Sequence, residues 1–409
     1  GGAVTIKTTV RDNTSLAGTT DGDIEIFGNI ITSGGTATST GQAGGAVTLT
    51  AGVEGTTNGQ IIIDAGGNIT TTGSDAGGSS DATGGAGGAV TLNTNGENIT
   101  LIDANISTGG GAKAANGTDG AGGNISIQDP LRVGSGTSGA TNTLDTGSTA
   151  GNITFSGAID GHNPTSLPGA AGLSNFDDHL ILLSGTGSFT FGGNIGDTLA
   201  LTSLGINSTS GNTAGFTVPQ IGGGGSQGVT GAVTLGHTTT TGAITFSGAS
   251  TTAFDIGGKL TVTSDAGAAA YLFTGNNPTI TADGGIEFVS TGNTADTITL
   301  TDEKDLALVS TDADITISGI VGVANNDGED VTITINDSDG NSGGTATVGA
   351  ISGDVNDLKI VARTIKLQGN ITTELDPNGN NADDAASIDF DGAVVVDAAV
   401  TLDTGNGTI

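Results

Sequence analysis

The residues best suited to chemistry are acidic and sit in short turns. In Asn336-Asp337-Ser338-Asp339-Gly340-Asn341, oxygen-bearing side chains alternate and a Gly follows them. That spacing lets one loop fold its carboxylates around a hard cation such as calcium. Asp337, Asp339 and Asn341 are the candidate ligands there, and Asp327 and Glu329 are the candidates in the neighbouring Asn325-Asn326-Asp327-Gly328-Glu329-Asp330. The segment Asp376-Pro377-Asn378-Gly379-Asn380 is comparable. No acid occurs between residues 342 and 348, where a bidentate Glu would complete a calcium loop. Asn, Asp and Gly also make turns without any ion, and both readings stand at this level.

Other reactive groups are sparse. The three histidines, His162, His179 and His237, are scattered, and Asp177-Asp178-His179 is the one local pairing of acid and imidazole. A loop-to-strand junction accounts for that pairing. Lys359, Arg363 and Lys366 fall near Asp354 and Asp357, as expected of a charged outer face. Enzymes that cleave acidic polysaccharides need carboxylates and cations gathered on one groove, often beside aromatic platforms. This chain has three Arg (Arg11, Arg132 and Arg363), no Trp and one Tyr. It also has no Cys, so disulfides, thiolate nucleophiles and Cys-ligated metals are excluded. The expectation is a protein that is not an enzyme.

The elements that carry these turns are short strands. Gly1-Gly2-Ala3-Val4-Thr5-Ile6, Gly44-Gly45-Ala46-Val47-Thr48-Leu49 and Gly87-Gly88-Ala89-Val90-Thr91-Leu92 recur at a spacing of 43 residues. A looser copy, Gly122-Gly123-Asn124-Ile125-Ser126-Ile127, follows 35 residues on. Fixed-period self-similarity marks a stacked repeat architecture. Within each repeat a second strand follows (Asp23–Phe27, Gln60–Asp64, Asn98–Leu101), then a third (Gly28–Thr32, Gly67–Thr71, Ala104–Thr108). Apolar residues alternate with Thr or Ser, the pattern of a strand with one buried face. Three strands per turn predict an all-β, parallel β-helix or β-solenoid, with Val4, Val47 and Val90 stacked in its interior. The Gly-rich stretches between third strand and next Gly-Gly, such as Gly73 to Gly84, read as loop excursions. An array of Ig-like sandwiches fits less well, because those need a buried Trp or an equivalent large core.

Three regions are expected along one continuous solenoid. Residues 1–128 hold the regular repeats. Residues 129–250 keep strands, including Leu199-Ala200-Leu201-Thr202, but lose the period and gain excursions. Residues 251–409 run in shorter units of about 20 residues, with 20 of the chain's 42 acids lying from 302 onward. The chain has no Met, and both ends fall inside strand patterns, so it reads as a piece of a longer polypeptide. The net charge of −33 excludes nucleic acid as a partner. No apolar run approaches the ~20 residues of a membrane span.

The wording of residues 44–49, 67–73 and 84–88, with Leu199–Leu204 and Gly242–Gly248, resembles large bacterial surface exoproteins: the filamentous-haemagglutinin-like and autotransporter-passenger β-helix proteins. The resemblance implies a secreted, right-handed β-helix at the cell surface, used for adhesion, matrix or fibre building. The leading functional expectation is therefore a structural β-solenoid, the rod, fibre or coat of an extracellular bacterial assembly. It would stack head to tail on further copies or continue along the same chain. The alternative is an adhesin that binds glycan or host protein through the loops at 73–86, 109–121 and 160–175.

Overall fold

The computed structural model describes residues 1–8, 22–52, 59–78, 80–136, 139–162, 178–223, 227–247, 253–267, 270–274, 277–290, 296–301, 305–323, 328–338, 343–374, 386–397, 399–405 and 407–409. Among them there is no helix, and the strands form the stacked parallel ladders of a β-solenoid. Strands within a ladder pair in parallel with their counterparts one turn before and one turn after. Two compact units divide the chain, residues 1–214 and 215–409.

In the first unit three sheets run along the stack. The first contains Val4–Lys7, Val47–Thr50, Val90–Asn93, Ile125–Ile127, Ile153–Phe155 and Phe189–Phe191. Its register aligns Val4, Val47, Val90, Ile125, Ile153 and Phe189. The second contains Ile24–Ile26, Ile61–Ile63, Ile99–Ile102, Leu131–Gly134 and Ile159–Gly161. The third runs from Ile30–Ile31 through Ile69–Thr70, Asn105–Ser107, Thr141–Asp145 and His179–Leu183 to Ser203–Ile206. The expected stacking of the repeat valines is therefore observed, with Val47 and Val90 fully buried. Each such aliphatic contributes about 1.5–3 kcal/mol, so thin turns suffice for a core built mainly of Val, Ile and Leu, which Phe155 and Phe189 join in the later turns.

The Gly-rich stretches are not free loops. They form a hydrogen-bonded lobe beside the stack, and its donors recur every three residues. Gly73 and Ala76 donate to Gly109 and Ala112 of the next turn, while Ser74 and Gly77 donate sideways to Gln42 and Ser39. On the returning segment Gly84 and Gly87 donate to Thr118 and Ala121, while Gly85 and Gly88 donate to Ser74 and Thr71. A backbone that presents donors at a period of three is extended in the manner of polyproline II, which has three residues per turn and no internal hydrogen bonds.

This packing explains the doublets in Gly84-Gly85-Ala86-Gly87-Gly88-Ala89. Two of the three edges of the segment face other backbone. A Cβ on Gly85 would lie 2.1 Å from the Gln42 carbonyl oxygen, and one on Gly88 would lie 2.3 Å from that of Gly45. The third edge faces solvent, and there Thr83, Ala86 and Ala89 are exposed.

The second unit uses longer, bent strands. Ile315–Gly322 pairs through Ile315 and Thr316 with Ile286 and Glu287, then through Ile320 to Gly322 with Ile298–Leu300. Val355–Leu367 likewise turns a corner, with Leu358 to Val361 opposite Val331–Thr334 and Thr364 to Leu367 opposite Thr345–Val348. Its interior holds an aromatic group: Phe246 stacks on Phe273 at 4.7 Å, and Phe288 meets Tyr271 at 5.0 Å edge-on. The closely spaced Val233–Leu235 and Ile244–Phe246 stack on different strands, Leu260–Val262 and Tyr271–Phe273.

Candidate functional site

Polar side chains in this fold are used chiefly to tie one turn to the next. Asn68 donates from its side chain to Asn29 Oδ1 at 3.1 Å and accepts the Asn105 amide at 2.8 Å. Asn105 in turn accepts the Thr143 amide. The Asn-Ile-Thr and Asn-Ile-Ser triplets are thus explained by ladders at the strand starts. Buried Thr32, Thr71 and Thr108 donate their hydroxyls to the carbonyls of Gly45, Gly88 and Gly123 at 2.5, 2.5 and 2.6 Å, closing the base of the glycine lobe.

A buried charged cluster lies at the end of the second sheet. Arg132 pairs with Asp160 at 3.2 Å, in register on adjacent turns. The other Asp160 oxygen accepts the amides of Thr198 and Leu199 at 2.9 and 3.3 Å. These contacts overturn the strand expected at Leu199–Thr202: the segment wraps the buried carboxylate, and the strand begins at Ser203. Beyond Asp160, His162 stacks on Gly134, whose missing side chain makes the room. A Cβ there would lie 3.0 Å from the His162 Cβ. The His162 backbone amide donates to Asp178 Oδ2 at 3.1 Å. Asp160, His162 and Asp178 are all more than nine-tenths buried, and the His162 Nε2 has no hydrogen-bond partner among the described residues. Burial, and then the Arg132 charge, hold the His162 imidazole below its usual titration range.

The Arg132–Asp160 pair joins residues far apart in sequence. A signal was present, however: the offset between them equals that between Asn124-Ile125-Ser126-Ile127 and Asn152-Ile153-Thr154-Phe155. One turn of the solenoid separates each pair.

Asp178 and His179 do not cooperate. Asp178 is buried, whereas the His179 ring contacts the Ser203 hydroxyl at 2.6 Å on a half-buried position. Neighbouring residues of a strand face opposite sides. His237 contacts Thr239 within its own turn. Lys359 and Lys366 pair with Asp389 and Asp397 at 3.6 and 2.8 Å on the outer face.

Of the calcium candidates, Asp327, Asp339 and Asn341 lie outside the described residues. The other two are kept apart. The strand Glu329–Asn336 begins at Glu329, whose side chain is buried beside Gly322, and Asp337 follows its far end. At ~3.3 Å per residue the two lie roughly 25 Å apart, as members of two separate turns should. Asp337 instead flanks Gly343, together with Arg363. Among the described residues no three His, Asp or Glu side chains converge as a metal site.

Compared with protein-family models, curated proteins and solved structures, the chain matches none.

Proposed function

We propose that this chain is a structural β-solenoid of an extracellular bacterial surface assembly, contributing stiffness and length to a rod, fibre or coat. The observation that carries the reading is the use of its polar chemistry. The Asn29–Asn68–Asn105 ladder, the buried Thr column and the Arg132–Asp160 pair all join adjacent turns. The resemblance to bacterial surface exoproteins supports the setting.

The proposed partner is another parallel turn, from a second copy or from further chain. Val394 and Val396 lie opposite Ile365 and Leu367, both interior positions, yet they stand exposed on the strand Ser387–Val396. A further turn would cover them. Sedimentation velocity and electron microscopy over a range of concentrations test the self-associating form. End-to-end species that lengthen with concentration are the expected result. A chain that stays monomeric throughout, with or without substitution at those valines, overturns assembly between copies.

A further inference from the structure

His162 is the one described histidine whose ring is enclosed with a nitrogen left unpartnered. Its position is unusual for a titratable group. It ends the second sheet of the first unit, where Ile159–Gly161 stacks on Leu131–Gly134. Its ring lies on Gly134 and its backbone amide is held by Asp178. Among the described residues, the charged groups around it come from three segments: Arg132 from the turn before, Asp160 from its own strand, and Asp178 from the segment entering His179–Leu183. The Asp160 carboxylate is already committed to Arg132 and to two amides of the following turn. An imidazolium would therefore meet a guanidinium, with the ring itself closed off from the water that could solvate its charge.

We propose that this corner is an acid-released clasp, in which protonation of the enclosed His162 ring beside Arg132 expels the ring from Gly134 and opens the Asp178 and Asp160 links between turns. At neutral pH the imidazole is uncharged and the corner is closed. Below about pH 6.5, the ordinary histidine value, any conformation that exposes the ring is favoured, because it gains a proton that the closed corner resists. Burial of an unpaired charge is what drives the opening.

The test is NMR on the full chain, combining an imidazole titration with amide exchange from about pH 7.5 to about pH 5. Three histidines give three ring signals, and His162→Gln assigns one of them. The expected result is that this signal titrates below the usual range. Exchange at the Thr198 and Leu199 amides, corrected for the intrinsic pH effect, should quicken about tenfold or more over the same interval. His179→Gln should behave as the unaltered protein, and His162→Gln should show no such change with pH. The proposal is overturned if protection at Thr198 and Leu199 is constant across the range in the unaltered protein. It is also overturned if the loss persists in His162→Gln. Should that variant fail to fold, the unaltered protein still decides: an exchange midpoint more than about one pH unit from the His162 titration overturns the link.

Discussion

Thr71 and Gly88 hold each other twice. The Gly88 amide donates to the Thr71 carbonyl at 2.6 Å, and the Thr71 hydroxyl donates to the Gly88 carbonyl at 2.5 Å. The same double link joins Thr32 to Gly45 and Thr108 to Gly123. It seals the junction between the third sheet and the returning lobe segment in three successive turns. A side chain at Gly88 would break it, since the Cβ would strike the Gly45 carbonyl.

Gly88→Ala should therefore destabilise the first unit by about 2–4 kcal/mol, from forced backbone displacement and lost hydrogen bonds. Gly35→Ala is the matched control, because a Cβ there meets nothing within 4 Å; its effect should stay within about 0.5 kcal/mol. Denaturation followed by far-ultraviolet circular dichroism measures both, as the chain has no Trp and one Tyr for fluorescence.

Thr71→Val keeps the shape of the side chain and removes the hydroxyl. One buried hydrogen bond to the Gly88 carbonyl is lost, so the same denaturation measurement should show a decrease of about 1–2 kcal/mol. A change near zero would mean that the amide half of the double link suffices.

Arg132→Met should cost about 2–4 kcal/mol, less than a fully buried pair would, because the Arg132 side chain is 22% exposed. The substitution leaves the Asp160 carboxylate enclosed without its cation. Adding Asp160→Asn should recover much of the loss, since the amide oxygen still accepts from Thr198 and Leu199. A double-mutant cycle read by chemical denaturation checks the coupling.

Stability should also fall on mild acidification. The His162 value is lowered in the folded chain, so between that value and about 6.5 the unfolded chain binds the additional proton. Stability then decreases as pH falls through this window and is independent of His162 above it. Comparing melts near pH 7.5 and pH 5.5 for the unaltered protein and for His162→Phe measures the difference. The variant should have the shallower dependence.

Association between copies, if it proceeds through the uncovered valines, should strengthen with salt. The net charge of −33 opposes approach, and the screening length shrinks from about 30 Å at 0.01 M to about 8 Å at 0.15 M. Val394→Lys together with Val396→Lys should abolish the association at all salt concentrations, because it places charge on interior positions. Sedimentation equilibrium reads both effects.

Much of the scaffold was legible in residue order. The alternation in Val47-Thr48-Leu49 and Val90-Thr91-Leu92 identified strands, and their spacing identified a stack, because a parallel solenoid puts like residues over like residues. The triplet Gly-Gly-Ala in 84–89 carried the period of the lobe as well. It reads as a loop until the neighbouring segments are in place, since a Gly doublet shows tolerance of close approach without saying what approaches.

The sequence by itself determined the strands of the regular repeats, the parallel stacking and the exclusion of cysteine chemistry, because these follow from periodicity and composition. Tertiary structure alone decided that the Gly-rich stretches are packed backbone and that Arg132 and Asp160 meet beside an enclosed His162. The reason is geometric. Turn lengths vary along this solenoid, and a single residue added or removed from a corner changes which side chains lie one above another.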